Sequence, residues 1–301
     1  MPSTKFLESL DTAKGRVLEV QIHAGVIAMG ILTTKDGTSI FYKSWGTGPA
    51  VLFSHAWALS ADEWDPQMLF LIQQGYRVIA HDRRGHGRSG QPSNGFNMDT
   101  FADDLAEVIE ALGVDQATLV GHSMGGGEVV RYLARHGTSH VSKAVLISSV
   151  PPLMLDGPDN PTSTGIAVFD HYRRGVSLNR SQAYKDTATA FYGYDRPDVL
   201  ISEGLRDKFW QQAIMGSAKA HYDSVKAFSE TDFTEDLRKI EIPVLFMHGD
   251  ADLLVPMVDS TVRAAKLVKN SRVITYPGCP HGLTELHPEQ VNRDLLAFLQ
   301  S

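Results

Sequence analysis

Three shortages in the 301-residue sequence narrow the class of protein before any motif is considered. There is one cysteine, Cys279, so no disulfide can form within the chain, which is typical of a reducing compartment. Basic residues are outnumbered, 28 against 35 acidic ones, and an acidic chain gains little from the counterion release that drives nucleic-acid binding. No apolar run approaches the roughly 20 residues of a membrane-spanning helix. We therefore expect a cytoplasmic protein that binds neither nucleic acid nor membrane.

The apolar runs that do occur are short and alternate with segments of helical periodicity. Strand-like runs occupy residues 39–45, 50–53, 76–80, 117–120, 144–147, 244–247 and 273–276. Helix-like segments occupy residues 101–112, 127–136, 258–268 and 288–299. This alternation predicts an α/β fold with a doubly wound, mostly parallel sheet whose apolar strands are covered on both faces. The run at 26–32 is predicted to be a strand rather than a signal peptide, because acidic residues precede it.

One long segment, residues 151–236, interrupts the alternation and is rich in aromatic residues. It separates two predicted strands and has no clear strand of its own. We expect a helical cap over the carboxyl ends of the strands, where open α/β sheets bind ligands.

A nucleophile is indicated by Gly121-His122-Ser123-Met124-Gly125, which lies between a predicted strand and a predicted helix. This spacing builds a sharp turn that lifts a serine hydroxyl above the sheet. The glycines on either side leave room for the strained backbone, and the helix N-terminus favours a developing oxyanion. Ser123 is therefore the predicted nucleophile.

A serine needs a base, and the base needs an acid. His281 follows the last predicted strand, on a loop that can reach Ser123, whereas His287 begins the last helix and is expected at the surface. The loop after the predicted strand at 244–247 offers two carboxylates, Asp250 and Asp252. Spacing does not choose between them, and Asp250 could instead brace the turn through backbone hydrogen bonds.

The oxyanion would be bound by two backbone N–H groups, for which we predict Trp57, in the loop after an early strand, and Met124, after the nucleophile.

Two other features carry less weight. The run His81-Asp82-Arg83-Arg84-Gly85-His86 suggests metal ligands, but its arginines would repel a cation, so a structured turn is predicted. Cys279 as nucleophile would leave Ser123 unexplained. No metal and no cofactor are expected.

Several longer motifs resemble the cofactor-free (non-haem) haloperoxidases and their relatives, the aryl esterases and perhydrolases, within the α/β-hydrolase superfamily. They are Thr33-Thr34-Lys35-Asp36-Gly37, residues 81–89, residues 121–128, Pro151-Pro152-Leu153-Met154 and residues 226–233. The resemblance runs from about residue 31 to residue 299. It implies the α/β-hydrolase fold, a triad of Ser123, Asp252 and His281, and residues 29–301 as one domain after an N-terminal extension of uncertain structure at 1–28.

The activity that the resemblance implies is acyl transfer without a cofactor. Ser123 would be acylated by an ester or a short carboxylic acid, and either water or hydrogen peroxide would release the acyl group. Release by peroxide gives a peracid, which oxidises halide in solution. The resemblance also suggests a homo-oligomer. One departure stands beside the oxyanion tryptophan, where the family usually has His-Gly and this chain has His55-Ala56.

Three other functions compete with this prediction. A lactonase or carbon–carbon-bond hydrolase would share the triad and differ in the shape of the cap. A haloalkane dehalogenase or epoxide hydrolase would have aspartate in place of Ser123. A non-enzymatic scaffold of the same fold would be expected to have lost a member of the triad, and all three are present.

Overall fold

The apolar runs form one nine-stranded sheet in a computed structural model that describes residues 18–19, 27–158, 160–197, 199–200 and 202–301. The strands are β1 Leu18–Glu19, β2 Ile27–Thr33, β3 Ser39–Trp45, β4 Ala50–Ser54, β5 Arg77–His81, β6 Ala117–His122, β7 Val141–Ile147, β8 Val244–Gly249 and β9 Ser271–Tyr276. Their order across the sheet is β1-β2-β3-β5-β4-β6-β7-β8-β9. In that order, neighbouring strands from β1 to β5 are antiparallel, and neighbouring strands from β5 to β9 are parallel.

Helices connect the strands on both faces of the sheet. A 3-10 helix at Ala61–Trp64 precedes ten α-helices in the described residues, namely α1 Asp65–Gln73, α2 Met98–Ala111, α3 Met124–His136, α4 Ile166–Phe191, α5 Glu203–Met215, α6 Ala218–Glu230, α7 Thr234–Arg238, α8 Thr261–Leu267, α9 Leu283–Leu286 and α10 Pro288–Leu299. Helix α4 is interrupted at Asn179, whose backbone is not helical. Helices α4 to α7 all lie between β7 and β8 in the chain.

The central strands are buried on both faces because two apolar cores flank the sheet. In β4, Val51 and Phe53 belong to the core that contains Trp64, while Leu52 between them belongs to the opposite core. Every residue of β6 is buried. This double covering explains why these strands have unbroken apolar sequences rather than alternating ones.

The predicted α/β-hydrolase fold, with its mostly parallel sheet, is confirmed. Residues 27–32 of the run at 26–32 lie in strand β2, as predicted, and residue 26 lies outside the described residues. The expectation that the last strand is covered on both faces is wrong. Strand β9 lies at the end of the strand order, and Val273 in it is 40% exposed. Helix α1 was not predicted, because its run Met68-Leu69-Phe70-Leu71-Ile72 is apolar without helical periodicity.

The topology brings the predicted site residues to one edge of the sheet. Strands β4 and β6 are parallel neighbours, with Ser54 opposite Gly121, so the loops that follow them lie side by side. The loops after β8 and β9 leave from the same edge, since those strands are parallel to β6. No helix in the described part of the chain has the length and apolar character needed to cross a membrane. Most of the predicted extension, residues 1–17 and 20–26, lies outside the described residues.

Candidate active site

Ser123 occupies a strained turn between β6 and α3. Its φ of 54° and ψ of −120° are unfavourable for a residue with a side chain. The turn is held by its surroundings, since the Ser123 amide donates to the carbonyl of Ile147 at 2.9 Å. A side chain at Gly121 would collide with the backbone of Gly125, and one at Gly125 would collide with the carbonyl of Ser54. The glycine spacing in the sequence therefore reflects close contact between backbones.

His281 and Asp252 meet at the same edge of the sheet. The Nδ1 atom of His281 lies 2.6 Å from Oδ2 of Asp252, and both side chains are buried. The other carboxylate oxygen, Oδ1, accepts the backbone N–H groups of Leu254 and Val255, each at 2.9 Å. Both carboxylate oxygens of Asp252 thus have hydrogen-bond partners, which hold it in its orientation towards His281.

The protonation states of this pair follow from burial and charge. Burial alone would raise the pKa of Asp252, but His281 and His248 outweigh it and hold that pKa well below its usual value. Burial lowers the pKa of His281, and the attraction of Asp252 opposes this only in part. At neutral pH His281 is therefore a neutral ring that donates Nδ1–H to Asp252, which leaves the lone pair of Nε2 free to accept a proton.

The structure also separates the two candidate acids and adds a residue that sequence reasoning missed. Asp250 is exposed, and its Oδ1 accepts the N–H of Gly278 at 2.6 Å, which is the bracing role left open for it. His248 lies in β8 with its Nε2 3.2 Å from Oδ2 of Asp252 and 2.9 Å from the carbonyl of Val255. In the sequence His248 directly follows the predicted strand at 244–247, and no local pattern distinguishes it from a structural residue.

The two predicted oxyanion amides follow adjacent strands. Trp57 lies in the loop after β4, and Met124 is the first residue of α3, after β6. Within the described residues, neither backbone N–H donates a hydrogen bond. The predicted oxyanion role requires such unpaired N–H groups, and that of Met124 also lies at the positive end of α3.

The loop that carries Trp57 is attached to the α4–α7 segment. The indole N–H of Trp57 donates to the carbonyl of His221, in α6, at 3.0 Å. The backbone N–H and the hydroxyl of Ser60 both donate to Oε1 of Gln212, in α5, at 3.1 and 2.8 Å. The loop that carries Trp57 is therefore held by helices that are distant from it in sequence.

Ser123 and His281 line the same apolar cavity. Its other lining residues are Ala56, Trp57, Val150, Met154, Tyr172, Thr187, Phe191, Phe209, Phe228, Leu254 and Val255. It has about 40 Å³ of space for the centres of water-sized molecules. Ligand pockets are typically about 300 to 1,000 Å³, so this cavity is small. It is built for a small substrate.

Aromatic side chains from α4 and α6 form much of the cavity wall. The ring of Phe191 lies 5.0 Å from that of His281, edge to face. The ring of Trp57 lies 5.7 Å from Tyr172 and 5.8 Å from Phe228. Residues of the segment predicted as a cap therefore shape the cavity, and the boundaries of that cap at 151 and 236 stay a prediction.

The residues that resembled a metal site have other partners. His81 Nε2 lies 3.0 Å from Oε1 of Glu128, and Asp82 accepts the backbone N–H groups of Ala61 and Arg88 at 2.7 and 2.6 Å. Across the described ranges, no group of three or more His, Cys, Asp or Glu side chains is placed to hold a metal ion. Burial raises the pKa of the Cys279 thiol, which disfavours the reactive thiolate.

Comparison with known proteins agrees with this geometry. Residues 49–288 match the family described as the alpha/beta hydrolase fold, and the chain belongs to that family. It is 54% identical over 274 residues to a non-heme haloperoxidase of Rhodococcus erythropolis, covering 91% of this chain and 100% of that protein. It is 53% identical over 276 residues to a bifunctional esterase/perhydrolase of Acinetobacter calcoaceticus, with the same coverage.

Among solved structures, the bromoperoxidase from Bacillus anthracis superposes with a TM-score of 0.85 at 38% sequence identity, covering 92% of this chain and 100% of that one. The resemblance inferred from the motifs, to cofactor-free haloperoxidases and esterase–perhydrolases, is confirmed.

Proposed function

We propose that this protein is a serine hydrolase of small carboxylic esters, aryl esters included, that also converts short carboxylic acids and hydrogen peroxide into peracids and so halogenates. The observation that carries the proposal is the hydrogen bond between His281 and Asp252 beside Ser123 in one small apolar cavity. Relatives named as non-heme haloperoxidases and as an esterase/perhydrolase support both halves of the activity.

Acylation follows from the geometry of the site. Ser123 Oγ attacks the carbonyl carbon while Nε2 of His281 takes the hydroxyl proton, and Asp252 stabilises the resulting imidazolium. The amides of Trp57 and Met124 bind the oxyanion. His281 then gives its proton to the leaving oxygen, which departs as an alcohol from an ester or as water from an acid, and the acyl group stays on Ser123.

Deacylation decides between the two activities. His281 removes a proton from the incoming molecule, whose oxygen attacks the acyl carbon, and the proton is returned to Ser123 as the ester bond breaks. Water yields the carboxylic acid, and hydrogen peroxide yields the peracid. The peracid then transfers its terminal oxygen to a halide ion as its O–O bond breaks. With uptake of one proton this gives hypohalous acid and regenerates the carboxylic acid, and no further group of the protein is needed.

The size and lining of the cavity favour short acyl chains. A cavity this small suits a short acyl group such as acetyl or propionyl. Ala56 lines the cavity and has a methyl group where the family resemblance implies glycine. We infer that acetate and aryl acetates are better substrates than esters of longer acids.

Three further points belong to the proposal. We infer that the protein acts in the cytoplasm, which its single, buried cysteine supports. We infer a homo-oligomer from the family resemblance, which light scattering on the purified protein tests. We also infer a single hydrolase domain at 29–301 with a helical cap at 151–236, which the aromatic wall contributed by α4 and α6 supports.

A halogenation assay tests the mechanism. The protein with acetate, peroxide and bromide at mildly acidic pH should brominate a phenol dye, because neutral acetic acid, unlike acetate, accepts a nucleophile. Burial lowers the pKa of His281, which favours the neutral base as the pH falls. Omission of the carboxylic acid should abolish bromination, and so should Ser123→Ala, while a chelator should change nothing. Bromination without a carboxylic acid, or by the Ser123→Ala variant, would refute the peracid mechanism.

A further inference from the structure

A second acid–histidine pair lies directly behind the site. Glu63, in the 3-10 helix Ala61–Trp64, contacts Nδ1 of His122 through its Oε1, and both side chains are completely buried. The other carboxylate oxygen of Glu63 accepts the backbone N–H of Ala56 at 2.8 Å. Nε2 of His122 lies 3.1 Å from the backbone carbonyl of His281. Two side chains thus connect three separate loops of the site.

The hydrogen-bond partners of the His122 ring indicate which of its nitrogens carry protons. The carbonyl of His281 can only accept, so Nε2 of His122 carries a proton. Nδ1 faces the Glu63 carboxylate, which also accepts when ionised. Burial disfavours a charged ring, but the carboxylate of Glu63 outweighs it and the pKa of His122 is raised. An ionised Glu63 therefore pairs with an imidazolium that donates from both nitrogens.

We propose that Glu63 and His122 form a charged positioning pair that holds the oxyanion loop at Ala56, the turn at Ser123 and the loop at His281 in one catalytic arrangement. The inference rests on the proposed roles of Ser123 and His281 and adds two residues that touch neither substrate nor the reacting atoms. Ala56 immediately precedes Trp57, so its bond to Glu63 orients the peptide that leads to the oxyanion N–H. His122 immediately precedes Ser123 and acts on the backbone of His281.

The charge of this pair also acts on the base. The rings of His122 and His281 lie 4.9 Å apart, and a positive neighbour disfavours a second positive charge. After burial, which lowers the pKa of His281, and Asp252, which raises it, His122 is the next influence and lowers it further. The other ionisable groups around the pair and the His281 loop include His248 on β8, Tyr172 on α4, Glu285 on α9, its ion-pair partner Lys208 on α5, and Tyr192, whose hydroxyl donates to Glu285.

Glu63→Gln separates charge from geometry. The amide oxygen can still accept from Ala56, and the amide N–H₂ can donate to Nδ1 of a neutral His122, which still donates from Nε2 to His281. All three hydrogen bonds survive and both charges are lost. We expect kcat at the plateau of the pH profile to stay within a few-fold of wild type, while the acid limb of kcat/KM for an aryl acetate moves to higher pH, because His281 loses its positive neighbour.

Glu63→Ala removes the geometry as well. It frees the Ala56 amide and leaves His122 without its partner, so the three loops are no longer held together. We expect kcat to fall about 100-fold, the cost of a displacement of about 1 Å in a reacting group, with a much smaller change in KM. Glu63→Gln should restore most of this loss.

Glu128→Gln is the matched control. Glu128 is an equally buried carboxylate 3.0 Å from a histidine, His81, but neither residue lines the cavity. This variant should lose thermal stability and keep the acid limb of wild type. An acid limb unmoved in Glu63→Gln, or moved equally in Glu128→Gln, would overturn the proposal. That result would leave the triad intact provided that Ser123→Ala is inactive, whereas an active Ser123→Ala would overturn the proposed function itself.

Discussion

Replacement of Asp252 by asparagine tests the assignment of the acid most sharply, because the structure predicts how the amide would be oriented. Oδ1 of Asp252 accepts two backbone N–H groups, from Leu254 and Val255, so the amide oxygen of asparagine must take that position. The N–H₂ group then faces Nδ1 of His281 and Nε2 of His248, where Oδ2 now lies. His281 is forced to carry its proton on Nε2, and the lone pair that would accept the Ser123 proton is lost.

The cost follows from this tautomer. Holding the imidazole in the wrong tautomer lowers kcat by about 10⁴-fold in a serine–histidine–aspartate site, which corresponds to about 5.4 kcal/mol of transition-state stabilisation. The assay is the hydrolysis of p-nitrophenyl acetate near pH 8, with the melting temperature as a check on folding.

Asp250→Asn is the control, since the asparagine oxygen can still accept the N–H of Gly278, and it should stay near wild type. A larger loss of activity in Asp250→Asn than in Asp252→Asn would refute the reasoning and make Asp250 the acid.

Two further predictions follow from the cavity and the buried histidines. Ala56→Gly should shift kcat/KM from acetyl esters towards longer acyl esters, by about 1 kcal/mol for the methyl group removed; an unchanged chain-length profile would show that Ala56 does not limit the acyl site. His221 is buried, and burial together with Arg180 and Arg83 lowers its pKa to about 3. Since the unfolded histidine binds a proton below about pH 6.5, stability should fall as the pH drops from 6.5 towards 3, with about 2 kcal/mol lost at pH 5 from this residue. Urea midpoints at pH 7 and pH 5 measure it, and His221→Gln should flatten the dependence.

The parts of the fold that were predictable are those with a local signature. Buried parallel strands have continuous apolar runs, and the turn at Ser123 needs glycines at fixed spacing because backbones touch at Gly121 and Gly125. His281 could be found by its position after the last strand. In each case the physical requirement acts on neighbouring residues of the chain.

The parts that escaped prediction depend on contacts between distant residues. Asp250 and Asp252 are two positions apart on one loop, so spacing did not choose between them and only the family resemblance favoured Asp252. The folded loop turns Asp252 to His281 and Asp250 to Gly278. Glu63 lies 59 positions before His122, so the sequence shows a lone glutamate and a lone histidine.

The loop after β4, which carries Trp57 and Ser60, is attached to α5 and α6, and this affects how hydrolases of this fold acquire new substrates. Trp57 and Ser60 are hydrogen-bonded to His221 and Gln212, so the helices that line the cavity also support the peptide that we propose binds the oxyanion. Grafting these helices from a relative with a different substrate range would alter both functions at once. New specificity in this scaffold must therefore arise together with compensating changes in the loop after β4, and chimaeras that exchange only the helices should lose rate before they gain substrates.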